Sequence, residues 1–195
     1  MAKLVECIPN FSCSKEKDEA TYNALVEAAN SVPGCTLFDA QTDGNHNRCV
    51  FTLIGDINAI EEVAFQLTKV ATERIDMTKH KGEHKRMGAT DVLPLIPIAG
   101  ITLEECAELA RKLAERIAGE LHVPTYCYEA AAFTPRRRNL AVCREGEYEA
   151  LPEKLAHGES APDFGARPFD EGVARTGATT VGARDFLIAV NFNLN

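Results

Sequence analysis

No apolar run in this chain approaches the ~20 residues that a membrane-spanning helix requires. The opening stretch, Met-Ala-Lys-Leu-Val-Glu-Cys, has neither a long apolar core nor a cleavage site, which argues against a secretory signal. No Cys-x-x-Cys occurs among the seven cysteines, Cys7, Cys13, Cys35, Cys49, Cys106, Cys127 and Cys143, which argues against a zinc ribbon or a thioredoxin-type site. A Gly-x-Ser-x-Gly elbow is missing too, and no local Cys-His signature replaces it, so nothing supports an acyl-enzyme. Positive charge is in deficit: 21 Lys and Arg against 29 Asp and Glu give a net charge of −8. That balance argues against a nucleic-acid binder. The expectation is a cytoplasmic protein with reduced, buried cysteines and neither nucleic-acid nor membrane partners.

What is present is ordinary for one globular domain over residues 1–195, with 45% hydrophobic and 26% charged residues. Lys3 to Pro9 reads as a strand, and a helix capped by Ser12 or Ser14 runs to Asn30. Residues 35–40 and 48–54 read as a hairpin around Thr42-Asp43-Gly44-Asn45. An amphipathic helix spans Ile57 to Asp76, with Ile60, Val63, Ala64, Leu67, Val70 and Ala71 on one face. Val92 to Ile98 reads as a strand whose two prolines place it at an edge or make it short. Thr102, with Glu105 three residues on, opens another helix as a capping box. Val123 to Tyr128 is a strand, Pro135 to Arg138 a basic turn and Tyr148 to Ala156 a short helix. Residues 159–178 read as a long irregular loop, the kind that is functional or disordered. Phe186 to Leu194 closes the chain as a strand. The order β-α-β-β-α-β over residues 3–98 is the ferredoxin-like pattern. The fold class is therefore α/β (α+β): a mixed sheet of about six strands with helices on one face.

The chemistry concentrates in Asp76 to Asp91. His80 and His84 lie there among Lys79, Lys81, Lys85 and Arg86, with Arg74 just upstream. Gly82 and Gly88 break any helix, so the stretch is a loop between regular elements. Two histidines four apart are a metal-ligand spacing. The surrounding cations oppose a divalent ion, and no metal is expected. General acid–base work fits better, because imidazole titrates near pH 6.5. Glu83 is placed to orient His84. On the residues alone, a structural role for the histidines stays equally open. His46 sits in a polar hairpin tip, Asp43 to Arg48, beside Asn45, Asn47 and Arg48. A second basic cluster, Arg136, Arg137 and Arg138, joins the first in suiting a small anionic ligand, with a solvated face as the other reading.

Residues 76–92 closely resemble the signature loop of the glutamate formiminotransferase family, folate enzymes of histidine breakdown. Leu-Val-Glu-Cys-Ile-Pro-Asn-Phe-Ser (4–12), residues 46–55, Gly-Glu-Tyr-Glu-Ala-Leu-Pro-Glu-Lys-Leu (146–155), Ala-Pro-Asp-Phe-Gly (161–165) and residues 182–194 are similar to that family as well. The likeness covers nearly the whole chain in order. It implies transfer of a formimino group from N-formimino-L-glutamate to the co-substrate tetrahydrofolate. It places the catalytic histidine on His84. The folate-contacting loop falls on Gly165 to Gly177, with Gly165, Ala166, Arg167, Pro168, Phe169 and Gly177 as contacts. Asn47, Arg48, Lys81 and Arg86 complete the expected substrate site.

The chain departs from the family pattern at several points. Lys85 replaces a proline after the catalytic histidine, Ala130 replaces a glutamate and Phe133 an arginine. The folate loop is about three residues longer, a change that costs little closure entropy. The family unit pairs two subdomains whose sheets face each other, and this chain matches only the N-terminal one. A bare apolar sheet face of that size is unusual. The expectation is a cover: a second copy in a homodimer, a separate chain supplying the C-terminal subdomain, or a rearranged final strand. The alternative function is a non-catalytic folate-binding or assembly half-domain.

Overall fold

The computed structural model describes residues 3–156 and 158–187. Strand β1 (Leu4–Cys7) buries Val5 and Cys7, breaks at Ile8-Pro9 and resumes as β2 (Asn10–Phe11). Both segments pair with the same two neighbours, so they act as one interrupted strand. Helix α1 (Glu19–Ala29) is capped by Asp18, whose carboxylate accepts Thr21 N–H at 3.0 Å. Neither Ser12 nor Ser14 is the cap, because residues 14–18 first make a turn of their own through the Ser14 carbonyl. Ser12 instead donates its hydroxyl to the Gly88 carbonyl at 2.7 Å.

β3 (Cys35–Asp43) and β4 (Arg48–Asp56) form the expected hairpin, and α2 (Ile57–Arg74) follows with Asp56 as its cap. Next come β5 (Thr90–Ala99), α3 (Leu103–Leu121) behind the Thr102–Glu105 capping box, and β6 (Thr125–Glu129). Two 3-10 turns, Pro135–Arg138 and Tyr148–Ala150, bracket α4 (Leu140–Cys143) and lead into α5 (Leu151–Ala156). α6 (Glu171–Thr176) precedes β7 (Thr179–Ala183).

Across the sheet the order is β3-β4-β1/β2-β5-β7-β6. The first four positions pair antiparallel, in the ferredoxin-like arrangement. β7 and β6 extend it with parallel pairing. The mixed sheet is thus six positions wide, as the pattern implied. α1, α2 and α3 cover one face. Leu25, Ile60, Val63, Leu67, Leu113 and Ile117 pack there against Val5, Phe51, Leu53, Leu93, Leu95 and Val181. Each large side chain removed from water in this layer contributes about 1.5–3 kcal/mol.

The opposite face is graded. One register row runs Gln41, Val50, Asn10, Val92, Thr180, Tyr126. Gln41 is exposed, Val50 half-buried, and the other four are buried. The cover comes from residues 135–156: Leu140 and Cys143 pack on Val92 and Tyr128, and Leu151 packs on Tyr126. This cap stops short of β4 and β3.

Three expectations change. β5 is neither short nor at an edge; it is a ten-residue central strand. Pro94 lies opposite Ile8-Pro9, where β1 gives way to β2, so its missing N–H coincides with a break already in the partner. The long loop 159–178 contains α6, and the strand that follows it, β7, starts at Thr179. Its all-buried pattern lacks alternation because it is covered on both faces. In the expected strand Phe186 to Leu194, Phe186 and Leu187 are exposed coil and the rest lies outside the described residues. The seven cysteines are free thiols, all buried except the half-buried Cys35. No described helix is long and apolar enough to cross a membrane.

Candidate active site

The site forms where the open and capped parts of the sheet meet. The β3–β4 turn brings His46, Asn47 and Arg48 to the end of the sheet. The 76–91 loop arrives from α2, β2 supplies Phe11, and Ser12 follows directly after it. The two loops can touch only because residue 82 is glycine. A Cβ there would sit 2.1 Å from the His46 carbonyl oxygen. Asn47 seals the contact by donating its amide to the Lys81 carbonyl at 3.0 Å, and Glu83 N–H bonds the Asn45 carbonyl at 3.2 Å.

His84 is half-buried. Its Nδ1–H donates to the Lys85 carbonyl at 2.5 Å. That tautomer leaves the lone pair on Nε2, which faces the Arg48 guanidinium. Burial, and then the Arg48 charge, push the His84 pKa below its ordinary value. The ring is therefore a neutral base at neutral pH with its lone pair held by an arginine. Glu83 does not orient it; no Glu83 side-chain bond to His84 exists among the described residues. His46 stacks edge-on to His84, ring centres 6.1 Å apart, and is itself held by Asp43 at 2.9 Å.

His80 donates Nε2–H to the Asn47 carbonyl at 3.0 Å. Its Nδ1 is buried and has no partner among the described residues. Burial lowers the His80 pKa as well. Two residues that sequence reasoning did not single out support the site. Asp91, 1% exposed, accepts the Met87 N–H at 3.0 Å and pairs with Arg144 from the cap. Burial raises the Asp91 pKa, with Arg144 opposing. Nothing local marks either residue, because they meet across 53 positions.

The hollow bounded by Arg48, His80, His84, Arg86 and Asp91 has about 180 Å³ of empty space, its open mouth included, and no room to seat a water molecule. Beyond Asn47 and His80 lies an open cleft of about 1020 Å³, lined by Lys17, Arg74, Lys79 and Lys81 as well as Asp18 and Asp76. Not every expected cation is available for a ligand. Arg86 is forked onto Glu149 at 2.7 and 2.9 Å and reaches Glu147, and Lys79 pairs with Asp76 at 2.9 Å. In the second basic cluster, Arg137 is consumed by Asp163 at 2.6 Å. No group of three or more His, Cys, Asp or Glu suited to a metal occurs among the described residues.

The profile for "Formiminotransferase domain, N-terminal subdomain" matches residues 4–184. The chain belongs to the formiminotransferase N-terminal subdomain family. It is 52% identical to "Glutamate formimidoyltransferase" of Streptococcus pyogenes, over all of this chain and 64% of that protein. It is 47% identical to "Formimidoyltransferase-cyclodeaminase" of Mus musculus, over all of this chain and 35% of that protein. It is 43% identical to "Glutamate formimidoyltransferase" of Thermoplasma acidophilum, over 98% of this chain and 62% of that protein. The chain thus spans under two thirds of these relatives.

Within this formiminotransferase subdomain, Asn47, Arg48 and Arg86 line the His84 hollow, and Lys81 lines the adjoining cleft with Asn47. The 165–169 segment does not reach the hollow. Gly165 packs against Ala118 and Val123 beside the end of α3, Ala166 and Pro168 are exposed, and Arg167 pairs with Asp170. Phe169 meets the Tyr148 ring edge-on at 6.4 Å. The far end of that loop does meet the histidine loop: the Arg175 and Thr176 carbonyls accept the Met77 and Ala89 N–H groups, each at 2.8 Å, and Gly177, at φ +67°, abuts the Met87 carbonyl and bridges Gly88. Phe133 is exposed, against Phe164 and Arg111.

Proposed function

We propose that this chain is the His84-bearing half of a formimidoyltransferase, which moves a formimino group from N-formimino-L-glutamate to tetrahydrofolate. The observation that carries the reading is the His84 ring itself: neutral, tautomerically fixed and with Nε2 turned into the site. His84 would take the proton from the attacking folate nitrogen as that nitrogen adds to the amidine carbon. It would return a proton to the departing glutamate nitrogen. Arg48 must first leave Nε2, and a substrate carboxylate is the natural destination for its guanidinium. Lys81 and Arg74, neither engaged by a side-chain partner among the described residues, would meet the remaining carboxylates from the open cleft.

The hollow is far too small for a pteridine, so the folate volume would have to be completed elsewhere. The uncovered β3–β4 portion of the sheet favours a partner: a separate C-terminal subdomain chain or, in a homodimer, a second copy. Gly165 to Phe169 and Gly177 would then contact folate only across that completed cleft. A cytoplasmic setting suits folate chemistry and the free thiols.

The test is formimino transfer by the purified chain with and without a supplied C-terminal subdomain, comparing wild type with His84→Ala. Loss of about 10²- to 10⁴-fold in rate, with an unchanged circular dichroism spectrum, is expected. Equal rates with and without the imidazole sink the assignment. The closed hollow, with Arg48 seated on His84, favours a second reading: a non-catalytic folate-binding or assembly half. Measurable transfer by the isolated chain disposes of it.

A further inference from the structure

Under the 135–156 cap lies a pocket of about 610 Å³ that shares no residue with the His84 hollow. Its floor is Tyr126, 1% exposed, whose hydroxyl has no hydrogen-bond partner among the described residues. A buried hydroxyl left without a partner is unfavourable, and native structures rarely keep one without a ligand or water to satisfy it. Burial holds that phenol in its protonated form, so it is a donor. The Arg137 and Lys154 cations stand over its ring, 5.3 and 5.6 Å from the centroid.

The other lining groups narrow the ligand. Arg137 is spent on Asp163 and the Ala161 carbonyl, so it forms wall rather than contact. Lys154 gives its ammonium to the Cys143 carbonyl at 2.5 Å and the Glu145 carbonyl at 3.0 Å, leaving one of three donors. Arg136 stands at the rim, loosely paired with Glu145 at 3.6 Å, both largely exposed. Val142 and Cys143 supply an apolar side. Glu145 and Glu159 also line the pocket and oppose a doubly charged ligand such as phosphate.

We propose that this pocket is a second binding site, for a small monocarboxylate with an apolar body. The carboxylate accepts from the Tyr126 hydroxyl and the remaining Lys154 N–H, the body lies on Val142 and Cys143, and Arg136 closes the rim. This assignment is independent of the His84 chemistry.

The test is a ¹⁵N-NMR titration of the chain with sodium benzoate, with inorganic phosphate as the second arm, joined to thermal melts. Benzoate should give saturable shifts confined to Tyr126 and its strand neighbours, residues 134–145 and residues 154–160, and phosphate should give none there. Tyr126→Phe should weaken benzoate at least about tenfold, the loss of one hydrogen bond to a charged acceptor. The same change should hold or raise the apo melting temperature, because it deletes an unpaired polar atom. Arg136→Ala, at the exposed rim, should weaken benzoate several-fold with no change in melting. Shifts confined to residues 46–48 and 80–86, equal affinity in the variants, preference for phosphate, or a lowered apo melting temperature in Tyr126→Phe each overturn the proposal.

Discussion

The two halves of the sheet share one backbone and one helix layer, yet their opposite faces have different fates. At the β5–β7–β6 end, the 135–156 cap buries Val92, Thr180 and Tyr126. At the β3–β4 end, Val50, Thr52 and Ile54 stay half-exposed, and Phe38, pushed out at the bulge between Leu37 and Asp39, is 73% exposed. The capped half carries its own cover and its own buried ion pair. The uncapped half leaves apolar side chains on that face partly exposed. The histidine site sits on the seam: Arg48 comes from the open half, Arg144 and Glu149 from the cap, and the 76–91 loop joins them. A site on such a seam draws its residues from both halves.

The sharpest way to break this contrast is to cut the cap loose. Arg144→Ala leaves Asp91 buried without its counter-charge, which should cost about 3–5 kcal/mol in urea unfolding. A loss below about 1 kcal/mol would mean that the cap is an appendage rather than part of the core. The next effect is on the seam. Removing the charge in Arg48→Gln relieves one of the three causes that depress His84, the others being burial and Arg144, so its pKa should move back up toward 6.5. Activity in the neutral form then falls off at higher pH than in wild type, read as an upward move of the acid limb of kcat/KM. An unmoved limb would separate Arg48 from the titration. Stability has the matching sign. His80 and His84 bind protons more weakly folded than unfolded, so they cost nothing above pH 6.5 and destabilise as pH falls through and below it. The smallest effect belongs to the open half. Phe38→Ser should alter stability by no more than about 0.5 kcal/mol. It should still weaken assembly with a C-terminal subdomain or second copy, measured by analytical ultracentrifugation. A large loss of stability would place Phe38 in the fold rather than at an interface.

Much of this was legible along the chain. Period-2 and period-3.6 patterns located β1, β4, α2 and α3, and the Thr102–Glu105 box announced its helix correctly. Less legible were features that depend on a distant partner. Asp18 displaced Ser12 and Ser14 as a cap because the backbone turned first. β5 took a central place despite two prolines, because Pro94 falls opposite the gap between β1 and β2. β7 hid behind a loop because a strand covered on both faces shows no alternation. Arg86 and Arg137 looked like ligand groups until Glu149 and Asp163 claimed them.

Local order in the sequence determined the elements and the glycine-containing histidine loop, since these rest on spacing and on the steric freedom of single residues. The tertiary structure decided which charges stay free, which imidazole nitrogen holds the lone pair and which sheet face is left open. Those depend on groups that meet only after folding, where burial and neighbouring charge outweigh what any residue prefers alone.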